Sequence, residues 1–507
     1  MSLRRVLLMT AALGGCAVGP DFVKPAAPDV TGYTPEPLGE QVGATPAPGT
    51  PPSEVQRFAG DLDIPGQWWT LFHSPALNTL VEQALAANPT LEAAQAALRQ
   101  SRELVYAQEG SFFPTVSGTY NPSRNKTATG ALAPVGSSDS PYYNLQTMQL
   151  NVSYTPDVFG GVRRQVEDQR AQAEAQRFAL EATYLTLTSN VVAAAILEAS
   201  LRGQIAATQT IIGIEQHSFE VLQKQQALGQ ASGADVLLQQ AALAAALATL
   251  PPLQKQLAQQ RDLIRALAGR YPSEDVAEQF DLASLQLPAD LPVSLPSAVV
   301  EHRPDIRQAE ANLNSASAQI GVAVANRLPQ ISLSAIVGTS PSTVAGLFAP
   351  GNGFFTLAAD ITQPIFDGGI LLHKERAARA NFDQVAAQYK NTVLTAFQNV
   401  ADSLRALQAD ADAVNTALLA EQVAQHSLQI TEAQQRLGQV GQLALLTVQQ
   451  TYEQALINSV QAKAARLTDT AALFQALGGG WWNRQDVRVD DYKGGQLLGI
   501  VGLKADR

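Results

Sequence analysis

Apolar residues in the second half of the chain recur at spacings of three and four. Phe382, Val385, Tyr389, Val393, Ala396, Val400, Leu404, Leu407, Ala411, Val414 and Leu418 have a mean spacing of (418 − 382)/10 = 3.6 residues. That is the period of an α-helix. The stretch from 369 to about 437 contains no proline, and 162–228 in the first half is also proline-free. At 1.5 Å per residue each stretch predicts a rod of roughly 100 Å. Rods of that length pair as coiled coils, and Gly229 and Gly438 stand where each helix should stop and the chain turn back.

Four shorter segments show a period of two. In LQTMQLNVSY (145–154), Met148, Leu150, Val152 and Tyr154 alternate with Thr147, Gln149, Asn151 and Ser153. In FFTLAADIT (354–362), Phe355, Leu357, Ala359 and Ile361 alternate with Thr356, Ala358, Asp360 and Thr362. PTVSGTY (114–120) and PQISLSAIVG (329–338) alternate more weakly. About ten residues, apolar on one face and polar on the other, suit a strand crossing a bilayer around a wet interior. They equally suit four half-buried strands of a soluble sheet. If they enter lipid, four cannot close a barrel, because spanning barrels begin at about eight strands. An open sheet would leave ladder groups unpaired in hydrocarbon. The chain must then pool its strands with copies of itself: two copies give eight, three give twelve. No run of about 18 apolar residues is expected to supply a transmembrane helix after the N-terminal segment.

These elements occur twice. NPTLEAAQAAL (88–98) matches RPDIRQAEANL (303–313), and FFPTVSG (112–118) matches RLPQISL (327–333). Pro89 to Pro304 and Pro114 to Pro329 are both 215 apart. PDVFGG (156–161) returns as PIFDGG (364–369), 208 apart, so the second half has lost about seven residues between the two points. ALGQASG (227–233) matches RLGQVGQ (436–442), and LAG (267–269) matches LGG (477–479). Each half therefore runs helix, strand, loop, strand, long helix, tight turn, helix. Each Pro-to-Gly-Gly phrase forms a strand-to-helix corner. Pro156 or Pro364 ends ladder pairing, and Gly160-Gly161 or Gly368-Gly369 bends the chain through positive φ.

Composition sharpens the picture. Hydrophobic residues make up 46% of 507, yet aromatics only 6%, which favours long Ala-rich helices in close contact over bulky cores. The net charge of −11, with no basic stripe, argues against nucleic acid as a partner. The single cysteine, Cys16, excludes an intrachain disulfide. It closes MSLRRVLLMTAALGGC, in which Arg4 and Arg5 precede a short apolar run and two glycines. This reads as a secretory signal. Leu13-Gly14-Gly15-Cys16 resembles a bacterial lipobox, which implies a lipid-bearing (palmitate-type) Cys16 as the first mature residue, against an ordinary signal with a chance cysteine. Ala17 rather than Asp after it points to the outer membrane. Residues 17–60, rich in Pro, Gly, Thr and Glu, are expected to form an extended tether, with order beginning near WWTLF (68–72). The expected division is 1–15 signal, 16–66 tether, 67–270 first repeat, 271–294 linker, 295–480 second repeat and 481–507 C-terminal tail.

Catalytic chemistry is not legible. His73, His217, His302, His373 and His426 show no metal spacing, and neither a phosphate-binding loop nor a nucleophile elbow occurs. Pro304 and Asp305 read as a helix start. Asp410 and Asp412 read as a solvated helix face.

Taken together, CAVGPDF (16–22), WWTLF, NTLVEQALAANP (78–89), RPDI (303–306), PIFDGG and LGGGWW (477–482) resemble the TolC-like outer membrane factor family, in its lipoprotein branch serving resistance–nodulation–division efflux pumps. The resemblance covers essentially the whole mature chain. It implies a mainly α protein with a membrane β-barrel part: long-helix coiled coils forming a periplasmic α-barrel, and four strands per chain completing a 12-stranded barrel in a homotrimer. It implies a passive exit duct with no enzyme activity and no cofactor, opened by docking on a periplasmic adaptor that joins it to an inner-membrane transporter. The turns form the tip: Gly229, Gln230, Ala231 and Ser232, with Gly438, Gln439, Val440 and Gly441, would meet the adaptor. Family aspartates after the turn ring a closed aperture. Asp235 matches one, and reads equally well as a helix-start acid. The second half departs, with Ala444 and Thr447 in place of acids and Gln435 in place of an aromatic. Arg436 and Asp235 remain candidates for a pair at the constriction. Small molecules such as drugs or toxic compounds are the expected cargo. Protein secretion through a type I system and a lipid-tethered coiled-coil scaffold without a pore are the alternatives. The loops at about 121–143 and 338–353 should face outside the cell.

Overall fold

The computed structural model describes residues 17–30, 32–36, 39, 41–43, 55–60, 62–126, 142–294 and 296–484. Two helices of 67 residues dominate it, α3 (Gly161–Ala227) and α7 (Ile370–Arg436). Each turns back into a helix of 35 residues, α4 (Gly233–Leu267) and α8 (Gln442–Ala476). All four pairs of ends obey one offset: 370 − 161, 436 − 227, 442 − 233 and 476 − 267 each equal 209. Before them stand α1 (Pro75–Ala87) and α2 (Pro89–Glu109) in one half, and α5 (Pro296–His302) and α6 (Pro304–Ala325) in the other. The sequence offset of 208 for the Gly-Gly phrases is thus corrected to 209. Gly160 aligns with Gly369, because each is the left-handed residue after which a long helix starts. The second half is shorter by 215 − 209 = 6 residues.

The 3.6-residue stripe on α7 is buried from Tyr389 to Val414, with Leu404 and Leu407 fully so. Around the middle of the rods sits an aromatic knot. Trp68, Trp69 and Phe72 are buried, and Trp68 stacks on Phe474 of α8 at 5.5 Å. Asn88 caps α2 and donates to the carbonyl of Leu267 at the end of α4 (2.9 Å), so one side chain joins two helix ends. Arg303 does the equivalent in the second half: it pairs with Asp305 and donates to the Ala476 carbonyl (2.8 Å). Pro304 starts α6, as the sequence suggests.

The tether is less free than expected. Residues Arg57–Ala59 (β1) pair in parallel with Asp290–Pro292 (β4). Gln56 is fully buried, donating to Pro288 O (3.0 Å) and accepting from Arg466 Nε (3.0 Å) on α8. Order therefore begins before Trp68: this strap has no core of its own but borrows the one under it.

Two helices also correct the view that none is apolar enough to span a bilayer. α3 and α4 each hold an 18-residue window that qualifies by length and composition. Two thirds of the α3 window is buried in the core, whereas most of the α4 window is exposed.

Candidate functional site: the sheet edges, the corners and the helix turns

The four long strands are β2 (Thr115–Lys126), β3 (Tyr142–Tyr154), β5 (Gln330–Thr339) and β6 (Gly353–Thr362). They form one antiparallel sheet in the order β2-β3-β5-β6. The first two run beyond their expected ends. Pairing continues to Lys126–Tyr142, where the Lys126 ammonium lies 5.3 Å from the Tyr142 ring, so residues expected in a loop extend the hairpin. Pro122 is accommodated because β2 lies at the sheet edge. In the β5–β6 connection, Val344–Phe348 forms a 3₁₀ turn. The remainder of the β2–β3 connection lies outside the described residues.

Register brings the alternation of all four strands into line. Gly118, Leu150, Val337 and Phe355 form one cross-strand row, and Val116, Val152, Ala335 and Leu357 the next. On this face Val116, Leu150, Val337, Phe355, Leu357 and Ile361 are exposed. The opposite face carries Thr119, Gln149, Asn151, Ser334, Thr356 and Asp360. Thus one face of the sheet suits hydrocarbon and the other water. Among the described residues, the outer edges of β2 and β6 have no strand to pair with.

Both corners work by a device that the Gly-Gly motif hid. At the first, Asp157 accepts from the backbone N–H of Val162 (2.9 Å) and Arg163 (3.0 Å). At the second, Asp367 accepts from Gly369 and Leu371, both at 2.8 Å. Each carboxylate caps the positive end of a long helix, and the N–H donors of Leu371 and Gly369 hold the Asp367 carboxyl below its ordinary value. The aspartates occupy different places in PDVFGG and PIFDGG, so sequence alignment does not superpose them. Only Gly160 has positive φ at the first corner (78°), Gly161 being the first helical residue, whereas Gly368 (66°) and Gly369 (88°) both do at the second. β3 and β6 end two residues before Pro156 and Pro364.

The first corner is covered by the N-terminal segment. Val18 N–H donates to Phe159 O (3.1 Å), and the buried Arg164 donates to Val18 O (3.1 Å) and Asp21 (2.7 Å). The second corner is bare: Ile365 and Phe366 are each 92% exposed. Cys16 lies outside the described residues, but the residue that follows it sits at the base of the sheet, with Ala17 Cα only 2.5 Å from where a Cβ on Gly160 would stand.

The two turns share one backbone design. Gly229 (φ 72°) and Gly438 (φ 69°) are left-handed. Gln230 N–H donates to Gln225 O (2.8 Å) and Gly229 N–H to Gln226 O (2.9 Å); Gln439 and Gly438 donate to Gln434 and Gln435 in the same way. This double closure satisfies the last carbonyls of each rod. Leu228 and Leu437 are exposed beside them. After the turn, Ser232 and Asp235 cap α4 reciprocally: Asp235 N–H donates to Ser232 Oγ (3.2 Å), which donates back to Asp235 Oδ2 (2.7 Å). The second turn lacks a side-chain cap at Gly441. Val440 and Ala231 are partly exposed links. Thr447 donates to its own helix at Leu443 O (2.9 Å), Ala444 N–H to Gly441 O (3.1 Å), and Arg436 Nε to Glu432 O (3.3 Å). Within the chain and among the described residues, no ion pair joins Arg436 to Asp235.

What the sequence did not reveal is a line of amides just inside the turns. Gln435 donates to Gln442 (2.8 Å), Gln442 to Gln239 (2.6 Å), and Gln239 to Glu215 O (3.1 Å) and its carboxylate. It ties the first hairpin to the second. Gln239 is fully buried, and burial raises the Glu215 carboxyl above its ordinary value. The signal was there: Gln239 falls among apolar neighbours in VLLQQAAL (236–243). A second correction concerns Asp410. Asp412 is exposed, but Asp410 Oδ2 is buried. Burial, then the Asp469 carboxyl beside it, push Asp410 up to about 7, opposed by Arg466.

The family model described as outer membrane efflux protein matches residues 80–270 and 295–479. The toluene efflux pump outer membrane protein TtgC of Pseudomonas putida is 29% identical over 97% of this chain and 99% of its own length. The cation efflux system protein CusC of Escherichia coli is 27% identical over 93% and 97%. Among solved structures, the outer-membrane channel OprN aligns with a TM-score of 0.80 at 25% identity, covering 92% of this chain and all of that one. The Campylobacter jejuni CmeC outer membrane channel aligns with a TM-score of 0.83 at 21% identity, over 93% and 96%.

Proposed function

The chain belongs to the outer membrane efflux protein family, and from that membership, which makes it the outer-membrane channel of an efflux pump extending into the periplasm, we propose that three copies close one duct. Three times four strands make a 12-stranded barrel. The observation that carries this reading is the sheet itself: a face of exposed apolar residues, a polar reverse face, and two unpaired edges. A lone subunit in lipid would leave a row of N–H and C=O groups unsatisfied at each edge, each costing several kcal/mol. Pairing β6 of one copy with β2 of the next removes every edge. The polar faces then line a water-filled lumen, continuous with a tunnel of long helices.

The duct is passive and has no catalytic residue. Its closed end is the ring of helix turns, held within each subunit by the Gln435–Gln442–Gln239–Glu215 line. A periplasmic adaptor docks on residues 229–232 and 438–441, with Leu228 and Leu437 as its apolar footholds. An inner-membrane transporter supplies the energy through that adaptor. Lipid-bearing Cys16 anchors the base of the barrel, where residues 17–21 are clamped by Arg164. The cargo is small molecules, drugs or toxic compounds among them, as the names of the relatives suggest. The division into tether, two repeats, linker and tail, and the placement of the β2–β3 and β5–β6 loops outside the cell, belong to the same proposal.

Planar-bilayer recording tests it. The purified protein is expected to insert and conduct, and a variant lacking residues 112–158 is expected to do neither. A full-length protein that fails to insert, or a deletion variant that still inserts, contradicts the duct.

A further inference from the structure

The two halves share their elements but not their cover. α3 packs against α2 and α6, and also against α8. Its counterpart α7 packs chiefly on α6 and its own hairpin partner α8. The difference shows on identical residues 209 apart. Leu446 on α8 is 5% exposed and Leu237 on α4 is 67%; Leu185 on α3 is 8% and Leu394 on α7 is 68%. Between Asp235 and Lys255, α4 carries no charged residue, although most of its apolar window is bare. A bare apolar helix in water, and elsewhere on the same chain a long helix missing half its neighbours, have a natural occupant in another copy of the chain.

The repeat also sets the register. Gln449 on α8 is 3% exposed, and its Nε2 donates to Ser218 Oγ on α3 at 3.1 Å. Shifting each by one repeat gives 449 − 209 = 240 and 218 + 209 = 427. Those positions hold Gln240 on α4 and Ser427 on α7, the same two residue types, and both are exposed. The local text repeats too: Gln216-His217-Ser218 returns as Gln425-His426-Ser427. At the other end of α3, a Cβ on Gly161 would lie 3.2 Å from Ala325 Cβ on α6. The shifts 161 + 209 = 370 and 325 − 215 = 110 place Ile370 against Gly110, where an added side chain meets open space within one chain.

We infer that Gln240 of one copy donates to Ser427 of the next, so that α4 and α2 of each copy cover α7 of its neighbour with the contacts that α8 and α6 make on α3 inside the chain. This seam runs from the base of the barrel to near the helix turns, with one direction around the ring. It rests on the reading of a closed homo-oligomer and specifies which side chains meet in it.

Paired cysteines test the seam in outer membranes of expressing cells. On oxidation, Gln240→Cys with Ser427→Cys is expected to give covalent chains up to the closed oligomer on a denaturing gel, and neither single variant should, which controls for Cys16. Ser218→Cys with Gln449→Cys should close within one chain and add no mass. If the double variant fails to reach the membrane, Gly110→Cys with Ile370→Cys gives the same readout at the opposite end. Absence of interchain bonds in a preparation that native mass spectrometry shows to be trimeric overturns the seam and leaves the assembly standing. A folded monomer in that preparation overturns both.

Discussion

Gly160 and Gly229 both hold positive φ, at 78° and 72°, yet substituting them should differ in cost. At Gly229 an added Cβ meets open space, so Gly229→Ala costs only backbone strain, about 1 kcal/mol. At Gly160 it would lie 2.5 Å from Ala17 Cα, so Gly160→Ala adds eviction of the N-terminal segment to the strain. Gly160→Ala is expected to lower the heat-dissociation temperature of the assembly clearly more than Gly229→Ala, as read by gel mobility after graded heating. Asp410 makes a prediction of opposite character. Its folded-state pKa is raised from 3.8 to about 7, so the folded protein favours the protonated form. That contribution is full below about 4 and is lost as pH rises through 7. Thermal stability should therefore fall progressively from about pH 4 to about pH 7 and level off above it, and Asp410→Asn, which keeps a neutral side chain, should flatten that fall. Neither residue could be read correctly from its neighbours in sequence. The Gly-Gly motif disclosed a bend but not Ala17 above it. Asp410 looked like a solvated face because its helix period is set by the apolar stripe, and the carboxyl against it, Asp469, belongs to another helix.

At the scale of the element, alternation in the strands was legible because a sheet wet on one face and apolar on the other keeps a strict period of two. Leu357 and Thr356 are adjacent but face opposite ways. Leu357→Arg is expected to cost ~2–4 kcal/mol if it lies near the bilayer midplane and to reduce the amount of assembled protein in the membrane. Thr356→Arg should assemble normally and lower cation conductance in a planar bilayer. Equal defects in both would refute the assignment of faces. The long rods were legible for a related reason: 67 residues without proline and with a 3.6-residue stripe leave one regular structure available. The strap at 56–59 was not, because what orders it lies far away in the chain. Gln56 is held by Arg466, 410 residues distant, and no local pattern announces such a partner. The amide line behind the turns escaped in part for the same reason: Gln239 among apolar neighbours hints at a buried amide, but its partner Gln442 lies 203 residues away.

For the whole molecule, the single chain is half an argument: a sheet with two open edges, a long helix with one side bare, and an apolar helix in water. Each incompleteness is removed by the same operation, a rotation that brings the first repeat of one copy against the second repeat of another. No subunit seals itself. Native mass spectrometry of protein extracted in gentle detergent, with strand content checked by circular dichroism, tests it most directly. Three chains per particle with the strand signal intact is the predicted result. A fully folded particle of one chain, strands included, would contradict it.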